Sequence, residues 1–401
     1  MRSVLLLGAI AGFISSCKPP SHKREADSSN VVVDGVAGRE YSEADLAAAP
    51  QHELNPVAIG VSTVDLRGLA DVSLLADNRI VALVDSNPRL ILLSERAEYV
   101  RDLRADLRMP SGFVVTRGDS VLALDGEGFR GEPFTLSWIP TDGGSARMRS
   151  TGRDVPDDNY ALAGELPGGN VALYSVDLAP PRSPDSLIYD TTHVRVLPPT
   201  GRAIKIARVR GPVFVPMQVP INAGLKIRAH IRPRFSPIPQ AVVWDTLIVV
   251  APDGRYRLHF LDRTGRAVGG ITVHRPRRPV TDSMHRAAIE AESAALREAT
   301  KNTIAIGGSP EWRRDRPSAD SLPAIAYLEL GVDGTLWVVD TASPGDSAWT
   351  ATGFRADGAL VARLRGAGKG LPVAFGSDRV VTRENGDGGS ATLSVHRIRR
   401  P

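Results

Sequence analysis

Basic side chains alternate with apolar ones in one short stretch of this 401-residue chain. The basic residues occupy every second position from 226 to 234, and they are Lys226, Arg228, His230, Arg232 and Arg234. In a β-strand every second side chain lies on the same face, so an extended segment here would present one row of positive charge. Guanidinium groups bind carboxylates and phosphates through paired hydrogen bonds. The pattern therefore predicts a site for anions.

The distribution of charge along the chain supports this prediction. Residues 201–280 contain 13 Arg and 2 Lys against 3 Asp and no Glu, a net charge of +12, whereas the whole chain carries +4 and the rest therefore −8. We predict that the row, with Arg275, Arg277 and Arg278, binds an anionic glycan, a lipid headgroup or an acidic protein. The alternative is that the charged row only protects an exposed sheet edge against pairing with another chain.

The single cysteine, Cys17, follows an apolar run from Val4 to Ile14. This run is too short to cross a bilayer and has the length of the apolar region of an export signal. The segment Ile14-Ser15-Ser16-Cys17 resembles the bacterial lipobox, which implies cleavage before Cys17 and attachment of lipid to its thiol. The alternative is an ordinary secretory signal. One cysteine excludes a disulfide framework and any metal site built from several cysteines.

The sequence predicts three regions: a lipoprotein signal over residues 1–16, the lipidated Cys17 with a flexible tether over residues 17–55, and a folded domain over residues 56–401. The tether prediction rests on a polar composition rich in Ser, Pro and Ala. We expect a location in the cell envelope, anchored to the membrane by the lipid. Lys18 stands where the resemblance would place an inner-membrane retention aspartate, which favours the outer membrane. Nucleic acid is not an expected partner of an exported protein.

A strand, a tight turn of Asp, Asn or Gly, and a second strand follow one another six times. The turns lie at Asn78, Asp119, Gly169, Asp245, Gly334 and Asp378. In most copies a third strand turns through a glycine into a fourth. A basic period of about 40 to 50 residues suits four-stranded blades better than helical repeats. The sequence predicts an all-β, six-bladed β-propeller; five or seven blades stay open because two intervals are longer.

The two ends of the chain are predicted to complete one blade together. After the last hairpin only one strand, Leu393 to Ile398, fits before the chain ends. We therefore predict that Val57 to Val64 supplies the missing strand, which would close the ring.

Several segments carry a resemblance to known propellers. The segment from Gly331 to Asp340, Gly-Val-Asp-Gly-Thr-Leu-Trp-Val-Val-Asp, resembles the strand pair of NHL and gluconolactonase/regucalcin-type propellers. Segments 235–239, 256–265, 279–282 and 322–324 resemble a family of uncharacterised six-bladed propeller lipoproteins. The resemblance implies the fold and says little about function, because propellers host many chemistries.

An insertion over residues 281–322 separates predicted blades 4 and 5. Apolar residues at three- and four-residue spacing predict a helix from Thr281 to Asn302, capped by Thr281 or Asp282; they are Met284, Ala288, Ala291 and Ala295. We expect the helix to pack on one face of the propeller. The loop that follows contains Trp312, Arg313 and Arg314, which form either a structural support or a lid over the central channel.

A gluconolactonase-like enzyme would need acidic or amide ligands for a divalent cation around the channel. Asp71, Glu165 and Glu329 are the candidates on predicted inner strands, but no pattern connects them. The sequence contains no phosphate loop, dinucleotide fingerprint or nucleophile elbow, so no cofactor is predicted. A binding or interaction module is the favoured prediction, and a lactonase-like hydrolase or lyase with a channel metal is the alternative.

Overall fold

The computed structural model describes residues 38–400, with gaps at 86, 105–106, 109, 117–118, 127–133, 152–154, 156–159, 178–187, 223–224, 301–314, 344–345, 369 and 387–388. The predicted signal, Cys17 and residues 18–37 of the predicted tether lie outside the described residues. In the part of the chain that the structure describes, no helix is both long and apolar enough to span a membrane.

Most of the described chain forms strands. The N-terminal segment contains β1 (Arg39–Ser42), helix α1 (Glu43–Ala48), β2 (Gln51–Leu54) and β3 (Gly60–Val61). The first meander consists of β4 (Leu69–Leu74), β5 (Ile80–Val84), β6 (Arg89–Leu93) and β7 (Tyr99–Arg104). The second consists of β8 (Pro110–Val115), β9 (Ser120–Asp125), β10 (Thr135–Pro140) and β11 (Arg147–Ser150). The third consists of β12 (Tyr160–Leu166), β13 (Asn170–Asp177), β14 (Ile188–Leu197) and β15 (Ile204–Asn222), and β16 (Leu225–Ile231) extends it.

Three further meanders follow. The fourth consists of β17 (Gln240–Trp244), β18 (Leu247–Ala251), β19 (Arg257–Leu261) and β20 (Ala267–His274). Helix α2 (Asp282–Thr300) separates it from the fifth, which consists of β21 (Ile325–Leu330), β22 (Leu336–Asp340), β23 (Ala348–Phe354) and β24 (Leu360–Ala367). The sixth consists of β25 (Leu371–Phe375), β26 (Arg379–Asn385) and β27 (Ala391–Arg399).

Five of the six predicted turn residues, all except Asp378, have the positive φ angle that many tight hairpins need. Asn78, Asp119 and Asp245 have φ angles of 67°, 52° and 57°, in the left-handed region that few residues other than glycine adopt. Asn and Asp tolerate this region better than bulkier side chains do, so each can turn the chain from the first strand of a meander into the second.

The meanders form a closed ring. Their first strands contact one another in the cycle β4, β8, β12, β17, β21, β25 and back to β4. Six apolar clusters each combine buried side chains from two adjoining meanders, so the core lies between the sheets. The predicted β-propeller is confirmed. The described strands form five hydrogen-bonded sheets, because β2 joins the fifth and sixth meanders into one nine-stranded sheet.

The two ends of the chain meet in the sixth meander. β3 pairs antiparallel with β27, with Val61 opposite Ser394 and Gly60 opposite Val395. The strand is shorter than the predicted segment from Val57 to Val64, but it lies within that segment and completes the sixth meander as the sequence predicts.

Residues 38–54 form what we call the N-terminal strap. β1 pairs in parallel with β20, and β2 lies between β24 and β27. Leu46 of α1 is 1% exposed and packs in the core between the fourth and fifth meanders. The tether predicted over residues 17–55 is therefore wrong from Gly38 onward. A few apolar side chains hold this polar segment on the ring, and average composition does not reveal them.

Helix α2 lies where the sequence predicts a helix, but the residues that it buries differ in part from the predicted ones. The Thr281 hydroxyl accepts a hydrogen bond from the Met284 backbone N–H at 3.3 Å, so Thr281 is the N-cap. Met284 and Ala288 are half-buried as predicted, but Ala291 is exposed and Glu292 is half-buried. The sequence pattern misplaced this face because an acidic side chain, held by the arginines described below, occupies part of it.

Candidate anion-binding site

The predicted basic row begins on an edge strand. β16 ends the sheet order β12-β13-β14-β15-β16, and it pairs only with the C-terminal part of β15 among the described strands. Lys226 and Arg228 are exposed there. The strand ends at Ile231, so the extended row contains Lys226, Arg228 and His230. Beyond it, the Arg232 carbonyl accepts a hydrogen bond from Arg316 Nε at 2.9 Å.

Arg234 has a structural environment that differs from the row. Its side chain is 2% exposed, and its Nη2 lies 2.9 Å from Oε2 of Glu292 on α2. Arg316 Nη1 lies 3.2 Å from the other Glu292 oxygen, and Arg234 donates to the Arg316 carbonyl. The structure therefore corrects the prediction that Arg234 contributes to an anion site: its charge is already paired and buried, and it fastens α2 to the chain around Arg316.

Three other predicted residues come together in a cavity of about 590 Å³, which we call the basic cavity. The loop between β18 and β19, the end of β20 with the segment after it, and the chain leading into β21 form its walls. The lining residues are Gly254, Arg255, Tyr256, Arg257, Thr272, Val273, His274, Arg275, Pro276, Arg277, Arg278, Leu322 and Ala324. They include five arginines and one histidine, and no aspartate or glutamate.

Backbone hydrogen bonds hold these walls in place. Arg257 and Thr272 lie opposite each other in the β19–β20 pair, and the Val273 N–H donates to the Tyr256 carbonyl at 2.9 Å. On the other side, the Leu322 N–H donates to the Arg278 carbonyl at 2.9 Å. The ends of β19 and β20 thus fix one wall, and backbone hydrogen bonds hold the connecting segments that form the others.

The Arg275 side chain is only 14% exposed. Its Nη1 and Nη2 each lie 3.1 Å from an oxygen of Asp340, and Nη2 also donates to the Ala324 carbonyl at 2.8 Å. Its guanidinium lies 4.8 Å from the centre of the Tyr256 ring. Burial and the negative charge of Asp340 raise the pKa of Tyr256 far above its ordinary value. Asp340 compensates the charge of Arg275, which supports the wall.

Three arginines of the cavity face no compensating carboxylate in the described part of the chain: Arg255, Arg277 and Arg278. Arg278 donates only to neutral acceptors, the Thr341 carbonyl and, at 3.5 Å, the Ser343 hydroxyl. All three side chains belong to exposed residues. Their positive charges therefore add up at one opening.

The N-terminal strap reaches the rim of this cavity. Glu40 on β1 lies beside His274, with 3.3 Å between Glu40 Oε2 and His274 Nε2, and both side chains are exposed. His274, Arg255 and Arg257 are site residues that the sequence pattern does not predict. The signal that could have found the two arginines is the +12 stretch itself, in which they flank Tyr256.

The three acidic residues predicted as candidate metal ligands, Asp71, Glu165 and Glu329, lie on different strands and have different neighbours. Glu165 accepts a hydrogen bond from Trp138 Nε1 at 3.2 Å, and Glu329 is 8% exposed on β21. Among the described residues no group of three or more His, Cys, Asp or Glu side chains could hold a metal ion. The enzyme alternative therefore stays a prediction.

Asp71 belongs to a small charged cluster that the sequence analysis did not identify. Asp85 follows β5, and partial burial together with the charge of Asp71 raises the pKa of Asp85 to about 6. Arg383 on β26 acts in the opposite direction on Asp85, and its own pKa is lowered by burial. The cluster joins the first and sixth meanders near the starts of their inner strands.

A second cavity of about 590 Å³ lies between the fifth and sixth meanders, and its charges are mixed. His52, Arg355 and Arg400 contribute basic groups, whereas Asp333 and Asp357 contribute acidic ones. Burial and the nearby Arg400 lower the pKa of His52, which disfavours its charged form. This cavity therefore lacks the one-sided charge of the basic cavity. The predicted lid residues Trp312, Arg313 and Arg314 lie outside the described residues.

No family profile and no curated protein matches this chain. Solved structures that resemble it include a member of the DUF4221 family from Bacteroides vulgatus, with 11% identity over 87% of this chain and 99% of that one, and a TM-score of 0.47. A streptogramin B lyase is 9% identical to this chain, and the match covers 86% of this chain and 100% of the lyase, with a TM-score of 0.40. The calcium-binding protein regucalcin from Agrobacterium tumefaciens is 12% identical to this chain, and the match covers 88% of this chain and 98% of regucalcin, with a TM-score of 0.35.

Proposed function

We propose that this protein is an exported, lipid-anchored β-propeller that binds an anionic ligand in the basic cavity at the cell envelope. The observation that carries the proposal is the convergence of Arg255, Arg277 and Arg278 on one cavity whose lining contains no carboxylate. Like charges that share an opening repel one another, and a bound anion removes that repulsion. Guanidinium groups are well suited to this role because they form paired hydrogen bonds with phosphate or carboxylate.

The size of the cavity supports a ligand of small-molecule dimensions. Binding sites for small molecules and cofactors commonly enclose about 300 to 1,000 Å³, a range that includes this volume. The charge of Arg275 is already paired with Asp340, so we assign Arg275 to the wall of the cavity and not to the ligand. Arg255, Arg277 and Arg278, which have no carboxylate partner among the described residues, are therefore the groups available to the ligand.

We expect substitution of these three arginines to weaken anion binding at least about tenfold, because each charge-assisted contact to an anion contributes about 1 kcal/mol or more. The cavity variant carries Arg255→Gln, Arg277→Gln and Arg278→Gln. The probe is inorganic pyrophosphate, and the dissociation constant is measured by titration calorimetry at low salt. Binding of the parent should weaken as salt is added, since exposed charges are screened.

A matched control variant carries Arg202→Gln, Arg263→Gln and Arg266→Gln. These exposed arginines belong to the same basic stretch but lie at the turns between β14 and β15 and between β19 and β20, at the other end of β20 from the cavity. The control loses the same charge and should change the dissociation constant less than about twofold. Equal losses in both variants, or unchanged binding in the cavity variant, would refute a site in the cavity.

The anchor in this proposal rests on Cys17. We expect Cys17→Ser to move the protein from the membrane fraction to the soluble fraction, because the thiol is the atom that would carry the lipid and the chain contains no other cysteine. Cell fractionation with detection of the folded propeller measures this. Ser15→Ala, which keeps a small residue before the cysteine, is the control. Full retention of the Cys17→Ser protein in the membrane would contradict lipid anchoring.

A further inference from the structure

We propose that the cavity between the fifth and sixth meanders, which we call the mixed-charge cavity, binds a small zwitterion. Such a ligand carries one ammonium and one carboxylate group, as an amino acid or a short peptide does. The site is separate from the basic cavity and does not depend on the function proposed above. The inference follows from the walls of the cavity, from two opposite charges that lack an ionic partner, and from a histidine that the N-terminal strap contributes.

Three parts of the chain form the walls of the mixed-charge cavity, which has a volume of about 590 Å³. The fifth meander contributes both of its turns and parts of β22 and β24. The sixth contributes one turn and the end of β27, and the strap contributes β2. Trp337, Val361, Ala362 and Ile398 supply apolar surface between the polar groups. The volume lies within the range of about 300 to 1,000 Å³ that is common for small-molecule sites.

Asp333 is the carboxylate of this cavity that lacks a cationic partner. Its Oδ1 accepts a hydrogen bond from the Thr335 N–H at 3.0 Å, and it forms no ion pair within the part of the chain that the structure describes. Asp357 differs, since Arg39 Nη2 and Arg355 Nη2 each lie 3.7 Å from its Oδ2. Asp333 is therefore the group available to an ammonium group of the ligand.

Arg400 is the corresponding cation. Its Nη2 donates to the Ser377 carbonyl at 2.7 Å, which is a neutral acceptor, and no carboxylate among the described residues pairs with it. Asp333 and Arg400 line the same cavity, are both exposed, and do not form an ion pair with each other. They belong to different meanders, so a ligand that lies between them can pair with both. A guanidinium group binds a carboxylate through charge-assisted hydrogen bonds.

His52 adds a polar group without adding charge. Burial, followed by the positive charge of Arg400, lowers the pKa of His52, so the ring is neutral near pH 7. Its Nδ1 has no hydrogen-bond partner among the described residues. A neutral imidazole offers one donor and one acceptor. A charged His52 would favour an anion, whereas a neutral one leaves one unpaired charge of each sign in the cavity, which favours a zwitterion.

The test measures binding of zwitterions that differ in the separation of their charges. The probes are glycine, γ-aminobutyrate, ε-aminocaproate and alanyl-alanine, titrated by calorimetry at low salt into the chain without its signal and with Cys17→Ser. We expect at least one of them to bind. The N-acetylated form of the best probe, which lacks the ammonium charge, and its amide, which lacks the carboxylate charge, should each bind at least about tenfold more weakly.

Two variants assign each charge of the ligand to a residue. Asp333→Asn keeps the Oδ1 that accepts from Thr335, and it should weaken binding of the zwitterion at least about tenfold while changing binding of the acetylated form less than about twofold. Arg400→Gln should weaken binding of the zwitterion by a similar factor and change binding of the amide less than about twofold. An unchanged melting temperature shows that both variants fold.

Matched controls come from equivalent positions outside the cavity. Asp77→Asn changes the corresponding turn of the first meander, where Asp77 Oδ1 accepts from the Arg79 N–H at 3.0 Å. Arg397→Gln removes an exposed arginine of β27 that does not line the cavity. Each control should change the dissociation constant of the zwitterion less than about twofold.

Three outcomes would overturn the inference. The first is that none of the four probes binds. The second is that the controls lose as much binding as Asp333→Asn and Arg400→Gln, or that these variants weaken the zwitterion and its singly charged forms equally. The third is that binding falls in the variant of the basic cavity and not in Asp333→Asn or Arg400→Gln, which would leave the proposed function standing.

Discussion

Removal of residues 18–54 is expected to lower the free energy of unfolding of the propeller by about 5 kcal/mol and its melting temperature by about 5 to 10 °C. Removal of residues 18–37 alone is expected to change the melting temperature by less than about 2 °C, because a polar segment offers little apolar surface for burial. The difference between the two truncations isolates the N-terminal strap.

The expected loss follows from what the strap buries. Leu46 lies in the same core cluster as Trp244 and Phe354, where a truncated chain would leave a cavity. The Tyr41 hydroxyl donates to the Gly358 carbonyl at 2.9 Å and accepts from the Leu360 N–H at 3.1 Å. The loss of these contacts would affect the fifth meander, whose core is otherwise complete.

The strap also completes the sheets. β1 covers the outer edge of β20, and β2 joins β24 to β27, so truncation would remove a pairing partner from three strands. The Gln51 side chain donates to the Leu46 carbonyl at 3.0 Å and the Ala49 carbonyl at 2.8 Å, which satisfies the end of α1. The strap is therefore an integral part of the sheets and not a loosely bound extension.

Single substitutions provide the control for these truncations. Leu46→Ala should cost about 2 to 4 kcal/mol, since it removes a fully buried side chain. Val57→Ala should cost less than about 0.5 kcal/mol, since Val57 is 70% exposed just after the strap. Urea denaturation measures both. Equal melting temperatures for the two truncated chains would show that the strap contributes nothing to stability.

The sequence predicted the propeller well because the repeat is encoded locally. Most of the hairpins turn through a residue with a positive φ angle between two apolar strands, and Asn78, Asp119 and Asp245 are three of these residues. The strap was missed for the opposite reason. Its position depends on a few apolar side chains, among them the buried Leu46, and on pairing with strands more than 200 residues away, and neither leaves a periodic pattern.

The candidate site was predicted in part. Charge counting identified the basic stretch, and Arg277 and Arg278 do line the basic cavity. Counting could not show that Arg255 lines the same cavity, because this depends on how the chain folds around β19 and β20. Nor could it separate Arg234 and Arg275, which are paired with carboxylates of distant segments, from arginines that face no carboxylate within the described part of the chain.

Arg234→Gln is expected to lower the free energy of unfolding by about 3 kcal/mol. The substitution removes a buried charge that Glu292 and the Arg316 carbonyl hold, and the remaining partners lose hydrogen bonds that water cannot fully replace. The helix α2 should also become more accessible to protease, because no described side chain on it is fully buried and polar contacts hold it. Chemical denaturation and limited proteolysis measure the two effects.

Arg228→Gln serves as the control, since Arg228 is exposed on β16; we expect a change below about 0.5 kcal/mol and no effect on α2. A double-mutant cycle with Glu292→Gln should show a coupling energy of about 1 to 3 kcal/mol, because the two groups are in direct contact. A coupling near zero would mean that the ion pair does not hold the helix. Arg234 should therefore not be replaced in a binding test. A variant that lacked both Arg234 and the exposed Lys226 and Arg228 could lose binding because α2 is disrupted, and such a loss would not report on contacts to the ligand.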